Sequence, residues 1–145
     1  MKKIIAAILA VVLALSMGAC GADGGNAPSV DKPAAPPDLT GEWKQINSNS
    51  DDAWQAAIIT GDTITINWVS DGGDVKSLYW AGTFTAPATA DEPYSWDSAN
   101  DKEQTGKALL ASGDDTKTFT YADGQLSYEA SALGTTMTIR LEKVG

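Results

Sequence analysis

Two residue types limit the chemistry open to this 145-residue chain: it has one cysteine, Cys20, and no histidine. The absence of imidazole excludes Ser-His-Asp and Cys-His catalysis, and it removes the commonest metal ligand. One cysteine also cannot form an internal disulfide. The groups left to consider are the thiol of Cys20 and the side-chain carboxylates.

Several carboxylates lie close together in the sequence, in the pairs Asp51 and Asp52, Asp71 and Asp74, and Asp114 and Asp115. A glycosidase needs two carboxylates that face each other across a cleft, whereas turns favour aspartate for backbone reasons alone. All three pairs fall in stretches predicted to be turns. The acidic run at 97–103 also lacks the spacing and central glycine of an EF-hand loop. The sequence therefore predicts a non-catalytic protein without a metal or other cofactor.

Cys20 follows a segment with the layout of an export signal. Lys2 and Lys3 precede an unbroken apolar stretch at residues 4–15, and small residues follow. The stretch from residue 4 to residue 19 is shorter than the roughly 20 residues that a membrane-spanning helix needs. A removable signal peptide at residues 1–19 is therefore favoured over a permanent anchor.

The residues Met17, Gly18, Ala19 and Cys20 resemble the lipobox of bacterial lipoproteins. In that family the small residues admit a peptidase, and the cysteine thiol receives a diacylglyceryl group; Met17 stands where leucine is usual. The resemblance implies lipidation of Cys20, further acylation with palmitate-like chains, and anchoring at the extracytoplasmic face of the cell membrane. The alternatives are an ordinary secretory peptide and an uncleaved anchor.

The charge of the chain argues against a nucleic-acid partner. Residues 20–145 contain 8 basic and 19 acidic residues, so the processed protein would carry a net charge near −11. Such a surface repels nucleic acid and anionic lipid headgroups. Attachment to the membrane is therefore expected to occur through the lipid at Cys20.

The composition divides the processed chain into a linker and one domain. Residues 21–37 are rich in proline, glycine and alanine and cannot bury enough apolar surface to fold, so residues 20–37 are predicted to be a lipidated, disordered tether. Alternating apolar residues begin at Leu39. The sequence predicts one folded domain at residues 38–145.

The first clear structural signal is a hairpin at residues 54–69. Its centre, Gly61-Asp62, is a pattern typical of a type II′ turn. A two-residue turn there places Ile59 opposite Ile64, with the apolar residues of both strands on one face.

A second hairpin is predicted at residues 116–131. Its centre is Asp123-Gly124, which is typical of a type I′ turn. The corresponding register places Phe119 opposite Tyr128. Such aromatic cross-strand pairs contribute up to about 1 kcal/mol.

The sequence allows two registers between the strand predicted at residues 76–85 and the strand before it. A tight turn would pair Trp68 with Ser77, whereas a bulge or a five-residue loop would place Trp68 opposite Leu78 and Ile66 opposite Trp80. The hydrophobic pattern favours the second register, because a slip of one residue reverses every side chain.

The stretch 86–107 is the least regular part of the domain. Short strands are predicted around Tyr94 and Trp96 and at residues 107–112. The final strand is predicted at residues 135–143, and no segment of the domain shows helical periodicity.

This pattern of short strands and frequent turns predicts an all-β fold, an antiparallel meander barrel of about eight strands, with a β-sandwich as the alternative. In the first strand, Gly41-Glu42-Trp43 resembles the G-x-W motif of the calycins, the avidin-like and lipocalin-like proteins. The resemblance implies that Trp43 closes one end of the barrel beneath a basic residue of the last strand. Lys143 is the expected partner, because Arg140 lies on the opposite face from the apolar residues of that strand.

A barrel of eight strands is either filled with side chains or leaves room for one small ligand. A hollow barrel would make the protein a cell-surface lipoprotein that binds a small apolar or amphipathic ligand. If the barrel is instead filled with side chains, Trp43, Trp68 and Trp80 belong to its core.

The second hypothesis for the function, besides binding of a small ligand, is that the domain is a module that binds another protein of the cell envelope. The prophage lipoproteins that exclude superinfecting phage share this organisation of signal, stalk and small domain. The candidate ligand or partner contacts are Trp54, Tyr79, Tyr94 and Trp96. An exposed cluster of these aromatic residues would favour a protein partner, and an enclosed cavity would favour a small ligand.

Overall fold

The computed structural model describes residues 33–145. The predicted signal peptide, the lipidation site Cys20 and the first part of the predicted tether lie outside these residues. Within the described residues the domain consists of eight strands, one short α-helix, α1 (Lys102–Thr105), and a 3-10 turn at Asp71–Gly73. The strands are β1 (Gly41–Gln45), β2 (Trp54–Thr60), β3 (Thr63–Ser70), β4 (Val75–Thr83), β5 (Tyr94–Ala99), β6 (Thr116–Ala122), β7 (Gln125–Ala132) and β8 (Thr135–Lys143).

All eight strands form one antiparallel sheet in the order β4-β3-β2-β1-β8-β7-β6-β5. Strands β1 and β8 pair directly, and the two edge strands approach each other through a bridge between Gly82 and Asn100. The sheet is therefore a nearly closed meander barrel. The predicted all-β barrel of about eight strands is confirmed, and the sandwich alternative is excluded because the strands form a single sheet.

Both predicted hairpins have the expected register. Ile59 pairs with Ile64 across β2 and β3, and Phe119 pairs with Tyr128 across β6 and β7. In the second turn Asp123 and Gly124 both have positive φ, as a type I′ turn requires. Local turn chemistry and the alternation of apolar residues thus suffice to set these pairings.

The register between β3 and β4 combines the two arrangements considered from the sequence. Near the turn Trp68 pairs with Ser77, so the predicted pairing with Leu78 is wrong. Further along, Ile66 pairs with Trp80 as predicted, because Tyr79 forms a bulge between the two registers. A bulge places two consecutive residues on the same side of the sheet, and both Tyr79 and Trp80 are buried.

The irregular region differs from expectation in one segment. Strand β5 contains Tyr94 and Trp96 as predicted, but residues 107–112 form turns rather than a strand. They follow helix α1, where the Asp101 carboxylate accepts a hydrogen bond from the Glu103 amide. Helix α1 is a single turn, too short to produce a helical period in the sequence. None of the helices in residues 33–145 is long and apolar enough to cross a membrane.

Large side chains fill the interior of the barrel. Trp80 and Phe119 are fully buried, and Trp43 and Trp96 nearly so. The ring of Trp96 stacks on Phe119 at 5.2 Å between centroids, and Phe119 contacts Tyr128 at 5.1 Å. Trp68, the third expected core tryptophan besides Trp43 and Trp80, is only partly buried. The interior is thus an aromatic core, and Trp68 lies at its margin.

Candidate binding site at the open end of the barrel

The chain that precedes β1 crosses one end of the barrel, which we call the closed end. The indole Nε1 of Trp43 donates a hydrogen bond to the Leu39 carbonyl at 3.0 Å. Lys143 pairs with Trp43 in the β1–β8 register, and its Nζ donates to the Asp38 carbonyl at 2.9 Å. The structure thus brings Trp43 and Lys143 together, and their role in closing the barrel stays a prediction.

The glycine of the G-x-W motif has a physical reason to be there. Gly41 has a φ of 122°, and an added Cβ would lie 3.1 Å from Cε of Lys143. Only glycine adopts this backbone conformation freely. The lysine stem therefore passes over a position where a side chain would obstruct it.

The four aromatic residues predicted as contacts do not form one exposed cluster. Tyr79 and Trp96 are buried in the core. Their burial does not support the predicted role in contacting a ligand or partner. Tyr94 is half-buried, stacks on Trp96 and donates a hydrogen bond to the Thr85 carbonyl. Trp54 is half-buried too, with the ammonium group of Lys44 4.1 Å from its ring centroid.

A groove of about 250 Å³ lies at the other end of the barrel, which we call the open end. Its apolar part is formed by five side chains from β2, β3, β8 and the residue before β2: Ala53, Trp54, Trp68, Met137 and Ile139. Of the predicted contact residues, only Trp54 lines this open-end groove. Sequence reasoning missed the role of Met137, whose inward position near the start of β8 leaves it 45% exposed.

The polar part of the open-end groove comes from the end of β1 and the loop after it: Gln45, Asn47, Ser48, Asn49 and Ser50. This loop is attached to β8, because the Asn47 side chain donates to the Thr138 carbonyl at 2.8 Å and accepts from the Arg140 amide at 3.0 Å. The Ser48 hydroxyl closes the loop by donating to the Ala53 carbonyl. The rim is therefore built from amide and hydroxyl groups held by the barrel wall.

Gln55 lies fully buried beside the open-end groove. It pairs with Trp68 across β2 and β3, and its backbone amide donates to Oε1 of Gln45 at 2.8 Å. Both of these neighbours, Trp68 and Gln45, line the groove. A glutamine at an inward position of an otherwise apolar strand is a sequence signal for a polar group inside the barrel.

Gln55 belongs to a buried polar network with Tyr128 and Tyr79. The Tyr128 hydroxyl donates a hydrogen bond to Oε1 of Gln55. Burial, followed by the nearby Tyr79, raises the pKa of Tyr128 well above its ordinary value. Among the described residues, Nε2 of Gln55 and the hydroxyl of Tyr79 have no hydrogen-bond partner. Buried polar groups without a partner in the described structure are rare in folded proteins, and one of the two belongs to Gln55, whose neighbours Gln45 and Trp68 line the groove.

A buried ammonium group lies on the far side of this network. Nζ of Lys117 donates to Asp114 at 3.2 Å and to the Glu129 carbonyl at 3.1 Å, and it lies 5.4 Å from the ring of Tyr79. A hydrogen bond from Ser112, followed by one from Lys117, lowers the pKa of Asp114. The lysine is therefore neutralised by Asp114 and contributes no net charge to the open end.

The turns at 107–112 cover part of the open end. The indole of Trp68 donates to the Leu110 carbonyl at 3.3 Å, and the Ser112 amide donates to the Tyr79 carbonyl at 2.8 Å. The side chains of Leu109 and Leu110 are exposed. Two aliphatic residues thus project into solvent beside the groove.

No protein-family model, curated protein or solved structure matches this chain. Within residues 33–145, no group of three or more carboxylate or thiol side chains is placed to hold a metal ion.

Proposed function

We propose that this protein is a lipid-anchored, non-catalytic binding protein of the cell surface, and that its barrel holds a small amphipathic ligand in the open-end groove. The proposal rests on one observation, the apolar groove of Trp54, Trp68 and Met137 beside the unpartnered side-chain nitrogen of Gln55. Ligand sites are commonly apolar with a few placed polar groups.

The ligand is amphipathic because the groove has two kinds of surface. The indole rings and Met137 favour an apolar group. The buried amide nitrogen of Gln55 lacks a partner among the described residues, and an unsatisfied buried group costs about 1–3 kcal/mol. A ligand that brings a hydrogen-bond acceptor to this amide recovers part of that cost. The filled core confines the ligand to the open end.

The anchoring part of the proposal rests on the sequence. The lipobox-like residues before Cys20 and the tether at residues 20–37 support a barrel displayed from the extracytoplasmic face of the membrane. The eight-stranded barrel and the sequence Gly41-Glu42-Trp43 are compatible with a calycin-like protein.

A second candidate function is contact with another envelope protein. The observation in its favour is the exposure of Leu109 and Leu110 beside the open-end groove, since exposed apolar side chains that cluster often mark contacts. In this case the open end would take a side chain of the partner rather than a free ligand.

Fluorescence of the neutral amphipathic probe N-phenyl-1-naphthylamine tests the first function on the full chain carrying Cys20→Ser. We expect saturable binding that Met137→Ala and Trp68→Ala weaken. The control is Ile58→Ala, since Ile58 is exposed on the outside of β2, in a second groove that shares only Trp54 with the open-end groove. Absence of saturable binding, or loss with Ile58→Ala alone, would overturn the open-end site.

A photo-crosslinking residue at Leu109 tests the second function in cells, with one at Val144, exposed after the last strand, as the control. A discrete crosslinked envelope protein from Leu109 and none from Val144 would favour a protein partner.

A further inference from the structure

The open-end groove is uncharged in an acidic protein. The chain has a net charge of −9, yet none of the described side chains that line this groove is charged, and the ammonium of Lys44 over the ring of Trp54 lies outside the lining. We propose, on the basis of the function above, that the ligand of the open-end groove is a neutral sugar ring. An uncharged lining favours a ligand without charge, because an ion would leave water without gaining a counter-charge.

The apolar part of the groove fits one face of such a ring. A pyranose has a face of C–H groups, and an indole ring offers a flat apolar surface of similar extent. Trp68 is fixed for this role, because its Nε1 is bound to the Leu110 carbonyl and its ring meets Tyr79 edge-on at 5.4 Å. Trp54 supplies a second indole at the edge of the same groove, with the ammonium of Lys44 over one face of its ring at 4.1 Å.

The polar rim fits the hydroxyl groups of the ring. Amide and hydroxyl side chains both donate and accept hydrogen bonds, as sugar hydroxyls do. Asn49 and Ser50 lie exposed on the rim, and Gln45 lies where the rim meets the wall. Guanidinium and carboxylate groups, which suit ionic ligands, are absent from the lining that residues 33–145 provide.

The buried amide of Gln55 adds a hydrogen-bond donor near this rim. Its Nε2 is a donor without a partner in the described structure, and its neighbours Gln45 and Trp68 both line the groove. We expect a sugar hydroxyl seated between Gln45 and Trp68 to accept a hydrogen bond from this amide, which is buried and is not itself part of the lining.

The groove has room for about one ring. Its volume of about 250 Å³ is below the roughly 300–1,000 Å³ typical of sites for drug-sized ligands. A longer glycan would therefore bind through one residue, with the remainder in solvent.

Saturation-transfer NMR on the full Cys20→Ser chain tests the sugar class with three probes: N-acetylglucosamine, glucosamine and hexanol. The first two share a ring but differ in charge. We expect signals from N-acetylglucosamine and weaker ones from the cationic glucosamine, although the acidic protein attracts cations. Asn49→Ala should weaken binding about three- to tenfold, the range for one lost hydrogen bond. Gln125→Ala, in the turn region of the opposite end, is the matched control.

The outcomes separate this proposal from the function on which it rests. Binding of hexanol without N-acetylglucosamine would overturn the sugar class and leave the amphipathic site standing. Stronger binding of glucosamine would also overturn it, since the surface charge would then govern recognition. Binding of none of the three probes, together with a failure of the naphthylamine probe, would overturn both.

Discussion

The substitution Trp43→Ala removes a side chain that is only 2% exposed and that contacts Tyr121 edge-on at the closed end. A buried tryptophan removes about 150–250 Å² from water, which at about 25 cal/mol per Å² is an upper bound of roughly 4–6 kcal/mol. Measured losses for such truncations are about 3–5 kcal/mol. The Leu39 carbonyl also loses its indole donor. We therefore expect a loss of about 4 kcal/mol, a large fraction of the 5–15 kcal/mol that is usual for a domain.

Urea denaturation followed by circular dichroism measures this loss. With a slope of about 2 kcal/mol per molar urea, the midpoint should fall by roughly 2 M. Trp54→Ala is the matched control, since that side chain is only partly buried, and we expect a smaller loss. Trp96→Ala, by contrast, should resemble Trp43→Ala, because Trp96 is buried against Phe119. A Trp43→Ala midpoint equal to the wild type, or a larger loss from Trp54→Ala, would refute this reasoning.

Three further predictions concern the anchor and the buried network. Cys20→Ser should abolish incorporation of radioactive fatty acid, because serine cannot form the thioether; equal label on both proteins would exclude lipidation. Tyr128→Phe should lose about 1–3 kcal/mol by urea denaturation, because Oε1 of Gln55 becomes unpaired, and adding Gln55→Leu should recover part of it; simple additivity of the two losses would contradict the coupling. Burial raises the pKa of Tyr128, so the unfolded chain loses this proton first and stability falls above pH 10.0. That alkaline decline should be shallower in Tyr128→Phe, and an identical slope would show that Tyr128 does not contribute.

The barrel could be predicted from the sequence because its strongest determinants are local. Gly61 and the pair Asp123-Gly124 take positive φ in two-residue turns, and each turn sets the register of the strands beside it. The bulge at Tyr79 could not be placed, because it depends on two neighbouring side chains both packing inside the barrel. The balance between those contacts and a regular ladder is a tertiary effect.

The open-end groove was harder to predict than the fold. Alternation assigns Trp68 and Met137 to the inner face of their strands but does not tell which end of the barrel stays open. The groove also needs the loop after β1 to lie against β8, and this follows only once β1 and β8 are known to be neighbours. Gln55 was the one local clue, a polar residue at an inward position between apolar ones.

The central claim is that ligand binds at the open end of the barrel, and the five tryptophans provide a direct test. Incorporation of 5-fluorotryptophan into the full Cys20→Ser chain gives one ¹⁹F signal for each ring, assigned by single Trp→Phe variants. Octyl β-glucoside, which joins a neutral sugar to an apolar chain, should shift the signals of Trp54 and Trp68 and leave those of Trp43, Trp80 and Trp96 in place. Unchanged signals throughout, or a shift at Trp43 without one at Trp68, would contradict the claim.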